Sequence, residues 1–154
     1  MSAKITFLLV LFATFFIDQL IKFIFVDGFY LAGSCIDLEL HYNRGVAFSM
    51  LEFLGDNLKW IQMGLIFFIL YFVNAEGYIK KYPVAVGVIL GGTIGNLYDR
   101  FHYGAVVDYV AWHCGFNFAV FNYADMMIDF GVAIILVSMF VEDKREKNKK
   151  RELR

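Results

Sequence analysis

Long apolar stretches separated by short polar segments dominate this chain. Four of them approach the roughly 20 residues that a helix needs to cross the hydrocarbon core of a bilayer. They fall at about residues 5–26, 58–73, 82–98 and 118–141. Lysines and acids closely bound the second and third stretches, so the ends of these two are less sharply defined. The pattern predicts a chain that crosses a membrane four times.

The composition agrees with this pattern. Of the 154 residues, 60% are hydrophobic and 19% aromatic, with 18 Phe, 9 Tyr and 1 Pro. A soluble protein is typically about 45–50% apolar. The excess excludes a disordered chain, and 14 Lys and Arg against 15 Asp and Glu leave no basic footprint for nucleic acid.

Basic residues indicate the orientation, because cytoplasmic loops carry an excess of Lys and Arg. If the chain crosses four times, Lys4, the lysine pair at 80–81 and the basic tail 142–154 fall on one side. The two other loops, 28–57 and 99–117, contain one arginine each and no lysine. We therefore expect both termini in the cytoplasm and both long loops outside.

The first apolar stretch could be a secretory signal peptide, because Lys4 precedes it. However, Asp18 and Lys22 interrupt its apolar run and stand one helical turn apart on one face. Such a pair can interact inside a helix bundle. We therefore expect an uncleaved helix.

The outer loops have patterns of their own. Segment 36–48 alternates apolar and polar residues, and segment 105–112 is rich in Val and aromatic residues, as short strands are. Segment 50–58 mixes Leu, Phe and acids, which is typical of a segment lying flat in the membrane interface. We expect a single integral-membrane domain over residues 1–154: an all-α four-helix bundle with a small extracytoplasmic β-sheet and an interfacial helix or loop.

Ionisable side chains inside a span are costly and usually face the protein interior, which makes them functional candidates. Four such residues lie within the predicted spans: Asp18, Lys22, Asp125 and Asp129. Three more ionisable residues lie just outside the third span and predict a carboxylate-rich zone near the outer face: Asp99, Arg100 and Asp108.

Other catalytic chemistries find little support. Ser49 lacks the strand-turn-helix glycine elbow of a hydrolase nucleophile, and the three histidines are expected in loops. Neither the histidines nor Cys35 and Cys114 show the close ligand spacing of a structural metal site, so no metal is predicted. Both cysteines are assigned to the outside, where a disulfide could form. Because the sequence gives no distance between them, we expect two unpaired loop cysteines.

Two carboxylates are the most plausible catalytic groups. Held about 3 Å apart they share a proton, so that one activates water while the other polarises a carbonyl. Asp108 and Asp125 are a credible pair, and Asn122 shares a helix face with Asp125 because it lies three positions earlier. Judged by spacing alone, structural ion pairing or a proton pathway stays equally open.

The third span contains Gly87, Gly91 and Gly95 at four-residue intervals. Small residues at this spacing let helix backbones approach closely in lipid, so close packing is expected. Asn96 and Arg100 continue the neighbouring stripe and are expected to position a polar group.

Five motifs, taken together and in order, resemble those of the lipoprotein signal peptidase family, also called signal peptidase II. The match covers residues 18–125. The motifs are DQLIK at 18–22, NRGVAFS at 43–49, GGTIGNLYDR at 91–100, VVDY at 106–109 and FNYAD at 121–125.

The resemblance implies a bacterial inner-membrane aspartyl endopeptidase. Such an enzyme removes the signal peptide from prolipoproteins whose lipobox cysteine carries a diacylglyceryl group, and it cuts just before that cysteine. It implies an active site near the periplasmic face, a monomer, no cofactor, and lipidated prolipoproteins and membrane lipids as partners.

The resemblance also assigns roles to residues. Asp108 and Asp125 match the catalytic dyad. Six residues match family positions that line or support the pocket: Asn43, Gly45, Asn96, Arg100, Asn122 and Ala124. Three residues match family positions that organise the helices or the substrate groove: Asp18, Lys22 and Asp99.

Three positions depart from the family pattern. Thr93 stands where Ala is frequent, and Tyr109 where Phe is common. Asp129 has no counterpart in the motif, and it lies one turn from Asp125. It could raise the proton affinity of the dyad, but we expect it to form a structural pair with Lys22 or another helix partner.

Two other classes of function remain open from the residues. A small transporter or proton-conducting protein would use Asp18, Lys22, Asp125 and Asp129 as an intramembrane relay. A structural scaffold would use only the glycine face of the third span. Cleavage of a lipidated precursor by the purified protein distinguishes both from a peptidase.

Overall fold

The fold is known from a computed structural model, which describes residues 1–45 and 52–152. Within these ranges helices predominate, and two strands form a small sheet. The elements are α1 (Ala3–Val26), β1 (Ile36–Asn43), a 3-10 turn (Glu52–Leu54), α2 (Asn57–Ala75), α3 (Tyr78–Lys81), α4 (Pro83–His102), β2 (Val106–Trp112) and α5 (Tyr123–Glu152).

In the described part of the chain, three helices are long and apolar enough to cross a membrane: α1, α2 and α5. Helix α4 has 20 residues but does not join this set, because its last turns carry Asn96, Asp99 and Arg100. The structure therefore confirms a mostly helical chain with several apolar helices. The fourth crossing stays a prediction.

Helix α4 is the central helix and packs between α1 and α5. A Cβ atom added to Gly91 would lie 2.6 Å from the backbone oxygen of Leu11 in α1. On another face, a Cβ at Gly92 would lie 2.7 Å from the backbone oxygen of Ala124 in α5. The expected close packing through glycine is confirmed, and it brings α1 and α5 against neighbouring faces of one helix.

Helix α2 lies at the periphery. Its buried residues are Leu58 and Ile66, and it packs against α4 while hardly touching α5. The buried core therefore belongs mainly to α1 and α4, and its members are Phe7, Leu11, Ile66, Tyr82, Ala85, Val86 and Leu90.

The two strands pair antiparallel, from Ile36 opposite Trp112 to Asn43 opposite Val106. The register shifts between Leu38 and His41, where β1 contains one residue more than β2. The predicted small sheet is confirmed. Residues 46–48 of the first predicted strand lie outside the described residues, as does the start of the predicted interfacial segment 50–58.

The boundaries of two helices differ from the prediction. Helix α4 continues through His102, so Asp99 and Arg100 lie inside it rather than beyond its end. Helix α5 begins at Tyr123 instead of 118, because Phe121 pairs with Val110 as an isolated β-bridge. Apolar character alone does not distinguish these extended residues from the helix that follows.

Cys35 and Cys114 form a disulfide, with an S–S distance of 2.07 Å. The expectation of two unpaired cysteines is wrong. The sequence separation of 79 residues hid the pairing, which arises because β1 and β2 are neighbours.

Candidate active site

Asp108 and Asp125 meet around a single asparagine. Asp108 lies in β2 and Asp125 in the first turn of α5. The Asn122 side-chain amide donates to Asp108 Oδ1 (2.7 Å), and the Asn122 backbone N–H donates to Asp125 Oδ2 (3.1 Å). The structure thus brings together the two predicted carboxylates through one fully buried residue.

The contact between Asn122 and Asp125 also begins α5. The Asp125 N–H donates to Asn122 Oδ1 (3.0 Å) while the Asn122 N–H donates to the Asp125 carboxylate. This is the reciprocal arrangement of a capping box, which satisfies two N–H groups at a helix start. The same two side chains therefore begin the helix and orient one carboxylate.

The remaining carboxylate oxygens are held by two further amides. Asn96 of α4 donates to Asp125 Oδ1 (2.8 Å), and Asn43 of β1 donates to Asp108 Oδ2 (3.0 Å). Amides orient carboxylates without supplying a full positive charge. Both acids consequently remain able to exchange a proton.

Arg100 reaches the site through the backbone. Its guanidinium donates to the backbone oxygen of Gly45, and the Gly45 N–H donates to Asn43 Oδ1 (3.0 Å). Arg100 therefore supports the turn that presents Asn43 to Asp108. The rest of the predicted 43–49 motif, residues 46–49, lies outside the described residues.

Lys22 forms the centre of a buried ion network next to these carboxylates. Its ammonium contacts Asp18 Oδ2 (2.8 Å), Asp99 Oδ2 (2.7 Å) and Asn96 Oδ1 (2.8 Å). An ammonium has three protons, so each contact uses one of them. Lys22, Asp18 and Asp99 are each at most 1% exposed.

The network also holds the backbone beside each candidate catalytic residue. Asp99 Oδ2 accepts from the Val107 N–H (3.1 Å), and Asp18 Oδ1 accepts from the Ala124 N–H (3.1 Å). Val107 precedes Asp108 and Ala124 precedes Asp125 in the chain. The ion network is thereby connected to the position of both carboxylates.

Sequence reasoning missed Gln19, although it lies within the DQLIK motif. Its side-chain amide donates to Asp18 Oδ2 (3.1 Å) and Asp99 Oδ1 (3.0 Å), so it bridges the two acids of the network. The only indication of this role in the sequence was that Gln19 directly follows Asp18. The tertiary partner in α4 could not be inferred from it.

Tyr109 uses the hydroxyl that distinguishes it from Phe. Its ring stacks on Phe25 with ring centroids 4.1 Å apart, and its hydroxyl accepts from the Tyr123 N–H (2.9 Å). This departure from the family pattern adds a hydrogen bond at the start of α5.

Two expectations need correction. Asp129 is exposed on α5, and no hydrogen bond or ion pair joins it to the described ranges, while Lys22 is engaged elsewhere. The expected pairing of Asp129 is therefore not found there. Of the histidines predicted in loops, His41 lies in β1 and His102 in α4, whereas His113 follows β2.

Burial controls the charge of Asp108, which is 2% exposed. Removal from water disfavours the carboxylate and raises the pKa of Asp108 from 3.8 to about 6, while the hydrogen bond from Asn43 opposes the rise. A group with this pKa can take up or release a proton near neutral pH, as a general acid or base must.

The raised pKa predicts a pH dependence of stability. The unfolded chain releases this proton near pH 3.8 and the folded protein near pH 6, so the folded state binds more protons between these values. Its free energy of unfolding should fall by about 3 kcal/mol as the pH rises through that window. Thermal unfolding of wild type and Asp108→Asn from pH 4 to 7 measures this difference. Parallel curves for the two proteins would contradict the assignment.

The packing at Gly95 gives a second prediction. A Cβ there would overlap the Asp18 carboxylate, which Lys22 and the Ala124 N–H hold in place. Gly95→Ala should lower the free energy of unfolding by about 1–3 kcal/mol. Gly64 is the matched control, because no atom lies within 4 Å of a Cβ built there. Thermal unfolding should show Gly64→Ala neutral or stabilised, and equal losses would contradict the argument.

Comparisons with known proteins find relatives over most of the chain. The family described as "Signal peptidase (SPase) II" matches residues 10–141. The chain is 59% identical over 134 residues to the lipoprotein signal peptidase of Sulfurovum sp. (strain NBC37-1), covering 87% of this chain and 92% of that protein. It is 41% identical over 149 residues to the lipoprotein signal peptidase of Helicobacter pylori, covering 96% and 94%. A solved structure described as a bacterial membrane enzyme superposes with a TM-score of 0.75 at 24% identity, covering 91% of this chain and 90% of that one.

Proposed function

The chain belongs to the signal peptidase II family of membrane aspartic peptidases, and on this premise we propose that Asp108 and Asp125 are its catalytic dyad. Its reaction is the removal of the signal peptide from bacterial prolipoproteins. The cut falls just before the diacylglyceryl-modified cysteine. The observation that carries the dyad is the meeting of two carboxylates around Asn122.

In the proposed mechanism the dyad holds one proton and one water molecule. The ionised carboxylate takes a proton from the water, whose oxygen attacks the scissile carbonyl carbon. The protonated carboxyl donates to the oxygen on which negative charge develops. Collapse of the intermediate breaks the C–N bond, and the departing amine takes up the proton that the carboxylate took from the water. The protons of a coupled dyad belong to the pair, so no resting proton is assigned to either residue.

Asparagine side chains suit this chemistry. Asn43, Asn96 and Asn122 fix the carboxylate oxygens by hydrogen bonds without a full counter-charge that would hold both acids ionised. Arg100, Gly45 and Ala124 complete the pocket support through the Gly45 carbonyl and the Ala124 N–H. Asp18, Lys22 and Asp99 then act as orienting residues.

The proposed topology has four crossings of the bacterial inner membrane, with both termini in the cytoplasm and the dyad near the periplasmic face. The disulfide supports this orientation, because disulfides persist in oxidising compartments and this one lies at the sheet that carries Asp108. The basic C-terminal end of α5 also supports this orientation, because Lys and Arg are enriched on the cytoplasmic side. Helix α4 would cross as the inner helix, shielded by α1 and α5.

The substrate's signal helix is proposed to enter from within the bilayer, with its acyl chains remaining in the hydrocarbon. Helix α2 supports this route, because it packs on α4 and leaves much of its apolar surface exposed. Both aspartates lie on one chain, so the enzyme is proposed to act as a monomer with lipid around it.

A proton relay through Asp18, Lys22, Asp125 and Asp129 is less well supported. Such a relay needs a continuous path of hydrogen-bonding groups. In the described ranges no hydrogen bond joins Asp129 to another residue, and the Lys22 ammonium uses its three protons within the buried network.

Cleavage by the purified enzyme tests the proposal. A prolipoprotein with a diacylglyceryl cysteine and the same precursor without lipid are incubated in detergent, and the products are identified by mass spectrometry. We expect a product that begins at the lipidated cysteine, and little cleavage of the unlipidated precursor. No cleavage of either would overturn the proposed activity, whereas equal cleavage would overturn the role of the lipid.

A further inference from the structure

We propose that the Cys35–Cys114 disulfide is a maturation site that positions Asn43 on Asp108, so that the dithiol form of the enzyme is much less active. This inference rests on the proposed function. In this inference, oxidation of the two cysteines completes the alignment of Asn43 with Asp108 of the dyad.

The disulfide lies at the end of the sheet away from the active site. Cys35 directly precedes β1, and Cys114 follows β2 after one intervening residue, His113. The His113 N–H donates to the backbone oxygen of Cys35 (2.9 Å), which extends the strand pairing beyond Ile36 and Trp112. The bond therefore fixes the outer end of the β1–β2 register.

The opposite end of the same register holds the catalytic contact. Asn43 is the last residue of β1 and lies opposite Val106, and its amide donates to Asp108 Oδ2 (3.0 Å). His41 is the residue directly opposite Asp108. A shift of β1 along β2 would thus move the Asn43 amide away from the carboxylate.

The two strands are not equally secured. In β2, Val107 donates to Asp99 and Asp108 accepts from Asn122, and most of the strand is buried. Strand β1 is half-exposed along most of its length, and its side-chain contacts to other elements lie near its two ends. Asp37 pairs with His113 near the disulfide, and Asn43 contacts Asp108 where Arg100 holds the Gly45 carbonyl. Its alignment is therefore the one that an additional covalent link would change.

The register shift between Leu38 and His41 is a β-bulge, and it makes the pairing of β1 with β2 prone to slip. Pairing changes by one residue between Leu38 and His41, so the disulfide end and the Asn43 end lie in different registers of the same strand pair. A slip of one residue moves every side chain to the other face of a strand. A two-stranded sheet is also only marginally stable by itself. The disulfide removes the freedom of one end and thereby limits the slip at the other.

Formation of the bond is ordinary thiol–disulfide exchange. The Cys35 and Cys114 thiols lose two protons and two electrons as their sulfur atoms join, and a protein disulfide of a thiol oxidase accepts them and becomes a dithiol. Both cysteines are partly exposed, which gives such an oxidase access to them.

The experiment compares oxidised and reduced enzyme by cleavage of the lipidated precursor. Wild type is assayed as isolated, and again after reduction and alkylation with iodoacetamide. The variant with both Cys35→Ser and Cys114→Ser is assayed with and without reductant. We expect no alkylation of the isolated wild type and a fall in kcat of about tenfold on reduction, the size of a coupling between contacting groups. The double variant should have the lower rate and should not respond to reductant.

An Asn43→Ala variant distinguishes alignment of Asn43 from a general stabilising role of the disulfide. In an Asn43→Ala background, loss of the disulfide should cost no further activity, because the contact that it aligns is already absent. A double-cysteine variant with the wild-type rate, two alkylated cysteines in the isolated enzyme, or a further tenfold loss in the Asn43→Ala background would each overturn the inference. A wild type that cleaves nothing would instead overturn the proposed function.

Discussion

Replacement of Asp108 or Asp125 by asparagine is expected to lower the rate of precursor cleavage by about a hundredfold to ten-thousandfold, the range that a general acid or base contributes. Asparagine has nearly the shape of aspartate but cannot exchange the proton that the reaction moves. Either variant leaves one carboxylate beside an amide, so neither retains the pair that activates water and protonates the oxyanion. The cleavage assay with the lipidated precursor measures this loss.

The control for this prediction is Asp143→Asn. Asp143 lies on the same helix as Asp125, but it is exposed and paired with Lys147 far from the site. This variant should cleave at the wild-type rate. Circular dichroism and elution from a sizing column should show that all three variants are folded. Undiminished cleavage by Asp108→Asn or Asp125→Asn would remove that residue from the dyad.

Replacement of Lys22 by methionine is expected to destabilise the protein by about 3–5 kcal/mol, because it leaves buried carboxylates without their counter-charge. Asp18 and Asp99 are both fully buried, and the Lys22 ammonium is the cation that contacts them. Thermal unfolding in detergent measures the loss. Precursor cleavage should fall with it, because Asp18 and Asp99 hold the backbone N–H groups next to the dyad.

The chain offers a closely matched control in Lys147→Met. Asp143–Lys147 has the same four-residue spacing as Asp18–Lys22 and a similar distance, 2.7 Å against 2.8 Å, but it is exposed to solvent. An exposed pair contributes at most about 1 kcal/mol, so this variant should unfold near the wild-type temperature. Combining Lys22→Met with Asp18→Asn and Asp99→Asn should restore part of the stability. Equal, small effects of Lys22→Met and Lys147→Met would contradict the account of a costly buried network.

Local patterns were sufficient to predict several elements. The apolar stretches identified α1, α2 and the body of α5. An alternating segment identified β1, and a segment rich in Val and aromatic residues identified β2. Hydrophobic length and periodicity are properties of consecutive residues, so they can be seen before the fold is known. The boundaries were harder, because an extended segment such as 118–122 is as apolar as the helix that follows it.

Residue type alone indicated Asp108, Asp125 and the intramembrane charges as candidate site residues, because ionisable groups in an apolar chain are costly and are usually functional. It left catalysis, ion pairing and proton transfer equally open. The structure separates the charges into two groups: Lys22 takes Asp18 and Asp99 as partners, while Asp108 and Asp125 receive asparagine amides. Asp129 joins neither group within the described part of the chain.

The sequence by itself determined a membrane chain, its helix and strand segments and the carboxylates worth considering, because these depend on hydrophobicity and charge along the chain. Only the tertiary structure decided that Cys35 bonds to Cys114, that Asn122 contacts both aspartates, and that Asp18 accepts a hydrogen bond from Ala124 106 residues away. Such contacts depend on how α1, α4, α5 and the sheet pack in three dimensions. Glycine allows α4 to approach α1 and α5 closely, and that approach brings distant polar groups within hydrogen-bonding distance.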